Sequence, residues 1–123
     1  MAKILLVEDD ACLSETVSQW LTFEKHIVET AHTGGEAVEQ LNYDTFDIIV
    51  LDWHLPELTG LEVCKQFRQK GGTTPILMLS GNDTSAERQQ GLNAGANDYL
   101  KKPFHLKELS LRLKKLLPQE QPT

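Results

Sequence analysis

Long hydrophobic runs are absent from this chain. The apolar stretch after Met1 extends only from Ile4 to Val7 and is closed by acids, which fits neither a signal peptide nor a membrane span. Cysteine is scarce. Cys12 and Cys64 fall within helical patterns and lack metal-site spacing, so buried free thiols in a reducing compartment are expected. A basic excess is missing too: 12 basic against 18 acidic side chains give a net charge of −6, and the domain itself is not expected to grip nucleic acid. These absences leave one soluble, cytoplasmic domain as the expectation, and 123 residues suffice for a real core. Residues 1–117 carry the pattern of that domain. Residues 118–123, Pro-Gln-Glu-Gln-Pro-Thr, read as a flexible tail or the start of a linker.

What is present is an alternation of short apolar runs with helical periodicity. Lys3 to Val7 reads as a strand, followed by Leu13, Val17, Trp20 and Leu21 at helical spacing, with Asp10 as a candidate cap. Ile27 to Thr30 is a second, weaker strand. Thr33 and Glu36, Thr59 and Glu62, and Thr84 and Glu87 each have capping-box spacing. Ile48 to Leu51 and Ile76 to Leu79 are short runs without alternation, as strands buried on both faces should be. Gly71 and Gly72 close the helix that follows Thr59. The helix after Thr84 is poor in apolar residues, with mainly Ala86, Leu92 and Ala94 to bury. Asp98 to Lys101 reads as an edge strand, and Leu106, Leu109, Leu113 and Leu116 form one face of a last helix. Strand then helix, five times over, predicts a doubly wound α/β fold: a parallel sheet covered on both faces, in the flavodoxin-like order 2-1-3-4-5.

In that order Glu8, Asp9, Asp52, Ser80 and Lys102 all follow the carboxyl ends of strands, where open α/β sheets bind ligands. Three carboxylates in one cleft repel, and either protonation or a divalent cation relieves them. Oxygen-only ligands suit a hard ion such as Mg²⁺. Zinc would need a second His or Cys at ligand spacing beside His54, and none is there. Carboxylate-bound cations commonly take phosphate oxygens as further ligands. Lys102 can neutralise phosphate charge, Ser80 can donate to a phosphate oxygen, and Asp52 is left as a nucleophile that forms an aspartyl-phosphate. A solvated lysine, a turn serine and a strand-ending aspartate are the structural alternatives for each residue taken singly.

The chain resembles the receiver domain of two-component response regulators (CheY-like) over almost its whole length. The matching pieces are Ile4 to Asp10, Leu51 to Pro56 with Gly60, Leu79-Ser80-Gly81, Gly95 to Tyr99, and Lys102-Pro103-Phe104. The resemblance implies that Asp52 accepts phosphate from a sensor histidine kinase. It implies that Asp9 binds Mg²⁺ directly, Glu8 through water and His54 through its backbone carbonyl. Ser80 and Tyr99 match a switch pair, in which the hydroxyl moves toward phosphate and the ring rotates into the vacated space. Lys102 matches the phosphate-binding lysine, with a cis Lys102-Pro103 bond, and His54 and Asn82 occupy positions that tune phosphoryl lifetime. Glu8 and Ser80 replace a commoner Asp and a frequent Thr, and both keep the chemistry. No enzyme with turnover is implied, only self-phosphorylation from small donors and slow self-hydrolysis.

The pattern is closest to the winged-helix (OmpR/PhoB) branch. There, Arg88 with Glu108 and Asp98 with Arg112 match ion pairs of a phosphorylation-dependent homodimer, and Asn97 sits where a further acid is frequent. DNA would be bound through an output domain beyond Thr123. Glu108 and Arg112 could instead pair along their own helix. A stand-alone module acting by protein–protein contact is the alternative. A flavin carrier on the same fold would need Ser, Thr or Gly where Glu8-Asp9-Asp10 stand. An aspartyl phosphatase would often carry an acid where His54 stands.

Overall fold

A computed structural model describes residues 1–81 and 84–117. Asn82 and the tail 118–123 lie outside the described residues. The elements run β1 (Lys3–Val7), α1 (Ala11–Phe23), β2 (Ile27–Ala31), α2 (Gly34–Tyr43), β3 (Ile48–Asp52), α3 (Gly60–Gln69), β4 (Ile76–Ser80), α4 (Ser85–Ala94), β5 (Asp98–Lys101) and α5 (Leu106–Leu116). The described strands form one parallel sheet in the order β2-β1-β3-β4-β5, the arrangement expected from the alternation.

The central strands show no polar alternation because both faces are covered. Successive side chains point to opposite faces of a strand. Ile4, Leu6, Ile48, Val50, Leu77, Leu79 and Leu100 therefore pack with Val17 and Leu21 of α1 and Leu109 and Leu113 of α5. Leu5, Val7, Ile49, Leu51, Ile76, Met78 and Tyr99 pack on the other face with Ala37 of α2, Val63 and Cys64 of α3 and Ala94 of α4. At the edge, β2 alternates exposed and covered residues.

Caps set where the helices begin. The Asp10 carboxylate accepts from Leu13 N at 3.1 Å and starts α1. Thr59 and Glu62 form a complete capping box on α3. Thr33 and Glu36 complete only half of one, because the Glu36 carboxylate accepts from His32 N instead. At the end of α3, Gly71 has φ 90°, Gly72 N donates to Phe67 O and Gly71 N to Arg68 O, which is the Schellman arrangement.

Two expectations fail. Cys12 is exposed, whereas Cys64 is buried; Ser14, Val17 and Leu21 face the core, and Cys12 lies about 200° around the helix from Ser14. In α4, Ala86 and Leu92 are exposed and only Gly91 and Ala94 are buried. That helix is held more thinly than its sequence promised.

Candidate functional site

The register of the sheet builds the site. Val7 lies beside Leu51, Asp52 beside Leu79, and Ser80 beside Lys101. The carboxyl ends of β1, β3, β4 and β5 therefore finish together. The next residues, Glu8-Asp9 and Lys102, join Asp52 and Ser80 at one edge. Backbone bonds fix these ends: Trp53 N donates to Leu79 O at 2.8 Å and Lys102 N to Ser80 O at 2.7 Å. Gly60 brings the start of α3 against the end of β3. Its N–H donates to Trp53 O at 2.8 Å, and a β-carbon there would lie 2.1 Å from Asp52 O.

One carboxylate oxygen from each of Glu8, Asp9 and Asp52 lies within 4.8 Å of the others. Glu8 and Asp52 are almost sealed from solvent, at 1% and 3% exposure, while Asp9 is open. Lys102 Nζ sits between the two buried acids, 2.6 Å from Glu8 Oε1 and 3.2 Å from Asp52 Oδ1. Burial pushes the Glu8 carboxyl above the ordinary range, against the opposing pull of Lys102 and the Asp10 N–H. Burial pulls Lys102 the other way, but the hydrogen bond to Glu8 and the charge of Asp52 outweigh it, and the ammonium is stabilised.

Three carboxylates and one ammonium leave two negative charges uncompensated when all are ionised, a match for a divalent cation. The donors are all oxygen and one is open to solvent, which suits Mg²⁺. Both Glu8 oxygens already have protein partners, Lys102 Nζ and Asp10 N, whereas the exposed Asp9 carboxylate carries no hydrogen bond among the described residues. The His54 side chain is exposed, and its carbonyl accepts no backbone hydrogen bond among the described residues. Lys102-Pro103 is cis.

Ser80 Oγ donates to Glu87 Oε1 of α4 at 2.8 Å. Glu87 had been read only as a capping residue; the spacing signal was present, but its carboxylate is spent on Ser80. The Tyr99 ring lies inside, at 4% exposure. Gly91 lies beside it: a β-carbon there would come within a tight 3.3 Å of Trp53 but only to an ordinary 3.9 Å from Tyr99. Trp53 meets Tyr99 edge-on at 6.5 Å, and the Arg88 guanidinium lies over the Tyr99 ring at 5.4 Å.

Asp98 of β5 pairs within the chain with Arg112 of α5, which also approaches Glu108 on its own helix. Arg112 Nη1 donates to both Asp98 oxygens at 3.0 Å, and Arg112 Nη2 lies 3.8 Å from Glu108. Asn97 is structural: its Oδ1 accepts from Ile76 N and from Arg68 Nη2, both at 2.9 Å. Arg68 also donates to Gly95 O and Gly72 O, so it ties the end of α3 to the turn before β5.

The fold and this edge define a doubly wound α/β domain with an acid-rich, lysine-compensated site at its switch point. The family model for the response regulator receiver domain matches residues 4–114, and the chain belongs to that family. It is 46% identical over 120 residues to the response regulator MprA of Mycobacterium avium, an alignment covering 98% of this chain and 53% of that protein. The chain thus spans about half the length of the curated relatives it matches. Among solved structures it is similar to the receiver domain of Francisella response regulator 1452, with TM-score 0.91, 32% identity, and coverage of 94% of this chain and 96% of that one. It is also similar to the chemotaxis response regulator CheY4 of Vibrio cholerae, with TM-score 0.90, 36% identity, and coverage of 95% and 99%. No helix among the described residues is long and apolar enough to cross a membrane.

Proposed function

We propose that this domain is a phosphorylation-dependent switch that accepts a phosphoryl group on Asp52 from a sensor histidine kinase. One observation carries the reading: Asp52, nearly sealed from solvent, lies within ligand distance of Glu8 and Asp9 and 3.2 Å from Lys102 Nζ. An Asp52 oxygen attacks phosphorus, a P–O bond forms, and the P–N bond of phosphohistidine breaks with its electron pair going to the imidazole. Lys102 moves from its carboxylates to a phosphoryl oxygen, and the Ser80 hydroxyl donates to another. Asp9, Asp52 and the His54 carbonyl would hold Mg²⁺, with Glu8 acting through water, and the ion would supply charge neutralisation for the transferring group. Slow hydrolysis of the acyl phosphate resets the switch. Incubation with acetyl phosphate and Mg²⁺ should add one phosphoryl mass to the wild type and none to Asp52→Ala. Equal incorporation in both would overturn the assignment.

The output reading is transcriptional. Residues 1–117 are read as the receiver and 118–123 as a tail or the start of a linker, and the longer protein would carry a DNA-binding output domain of the winged-helix (OmpR/PhoB) kind. The support is the half-length match to a full response regulator. Phosphorylation drives a homodimer through α4, β5 and α5, with Arg88–Glu108 and Asp98–Arg112 pairs across a two-fold axis. Because Asp98 and Arg112 already pair within the chain, their pair across the axis is an exchange of partners rather than a new charge pair.

A further inference from the structure

We propose that Glu87 is the resting latch of the switch, holding the Ser80 hydroxyl on α4 until phosphate displaces it. This rests on Asp52 being the phosphoacceptor and assigns a regulator to that same site.

Three observations carry it. First, Ser80 Oγ is fully buried at the end of β4 and donates to Glu87 Oε1 at 2.8 Å. Second, Thr84 and Glu87 repeat the spacing of Thr59 and Glu62. On α3 the Glu62 carboxylate turns back to Thr59 N and completes the box. On α4 the Thr84 hydroxyl accepts from Glu87 N at 3.1 Å, which fixes the Glu87 backbone, but the carboxylate reaches across to Ser80. A residue type that would normally serve its own helix instead ties that helix to the site. Third, Tyr99 already lies inside against Trp53 and Gly91. The aromatic half of the switch is in position, and the hydroxyl is the half that has to move.

A serine hydroxyl has one proton to donate. Donation to an Asp52 phosphoryl oxygen and donation to Glu87 are therefore competing states. The Glu87 carboxylate also repels the dianion that replaces it. Because α4 buries only Gly91 and Ala94, loss of this tether frees its first turn. The first turn of a helix so thinly packed is the low-stability element that a switch needs. Glu87 is thus a positioning residue. It acts through Ser80 and sets how much of the phosphoryl binding energy is spent on releasing α4.

The test uses beryllofluoride with Mg²⁺ as the phosphoryl mimic on the whole chain. Glu87→Ala should bind it roughly fivefold more tightly than wild type, as expected for removing one partly exposed charge-assisted hydrogen bond from the resting state. Its amide spectrum without the mimic should move, at residues 85–94, toward that of the mimic-bound wild type. Glu87→Gln, which keeps an acceptor without the charge, should lie between the two. On a Ser80→Ala background the Glu87→Ala gain should vanish. Unchanged affinity with unchanged amides in Glu87→Ala would overturn the latch, as would a gain that persists without Ser80, since Glu87 would then act by charge alone. If the wild type binds no mimic and takes no phosphoryl group, the phosphoacceptor reading itself falls and the latch falls with it.

Discussion

Replacing Lys102 with methionine keeps the length of the stem and removes the only ammonium described between Glu8 and Asp52. Glu8 is then a carboxylate at 1% exposure whose remaining donor is the Asp10 N–H. Removing one partner of a fully buried pair costs about 3–5 kcal/mol, and because the Lys102 side chain is itself 22% exposed, screening brings the expected loss to about 2–3 kcal/mol at neutral pH. The loss should depend on pH with a definite sign. Burial already holds Glu8 above the ordinary carboxylate value, with Lys102 the leading opposing influence, so the variant raises it further. An acid whose folded value is raised binds its proton in the folded state before the unfolded chain does. Stability is then greatest in acid and is lost as pH climbs from the ordinary glutamate value through the raised one. The raised value of Lys102 in the wild type acts far away, in alkali, where stability is lost only above the ordinary lysine range. Urea unfolding followed by tryptophan fluorescence at about pH 5 and about pH 8 should therefore show a small deficit at the first and a large one at the second. Mg²⁺ should restore more stability to the variant than to the wild type, because the lysine no longer competes for the same carboxylates. An equal deficit at both pH values, or none at neutrality, would refute this account of the site's electrostatics.

Other perturbations test separate parts. Gly60→Ala drives a β-carbon to within 2.1 Å of Asp52 O; it should cost about 3 kcal/mol in urea unfolding, and slow acetyl-phosphate labelling by displacing the acceptor. Asp9→Asn should weaken Mg²⁺ binding, read by Trp53 fluorescence in a Trp20→Phe background, more than Glu8→Gln does; equal affinity in wild type and Asp9→Asn would remove Asp9 from the ligand set. Arg88→Glu and Glu108→Arg should each block phosphorylation-dependent dimerisation in low-salt ultracentrifugation and form a heterodimer when mixed; a phosphorylated wild type that stays monomeric at high concentration would assign the face to another partner.

The strand ends were legible because they depend on order and direction, which apolar runs and caps reveal. Once β1, β3, β4 and β5 run parallel, Glu8, Asp52, Ser80 and Lys102 can only arrive at the same edge. What stayed hidden depends on where flexible side chains reach. The Glu87 carboxylate leaves its own helix for Ser80, Arg112 turns to Asp98 in its own chain, and Arg68 spans from α3 to Gly95 and Asn97; none of these has a local spacing rule. Cys12 was misread because helical periodicity was applied to its neighbours without fixing which side of α1 faces the sheet.

The most direct measurement locates the phosphoryl group itself. An acyl phosphate on an aspartate is reduced by borohydride to homoserine, whereas phosphoserine, phosphothreonine and free carboxylates are not. After treatment with acetyl phosphate and Mg²⁺, borohydride reduction and peptide mass mapping should find homoserine at position 52, with Glu8 and Asp9 unmodified. Reduction at another acid, or intact Asp52 in protein that has gained a phosphoryl mass, would contradict the account.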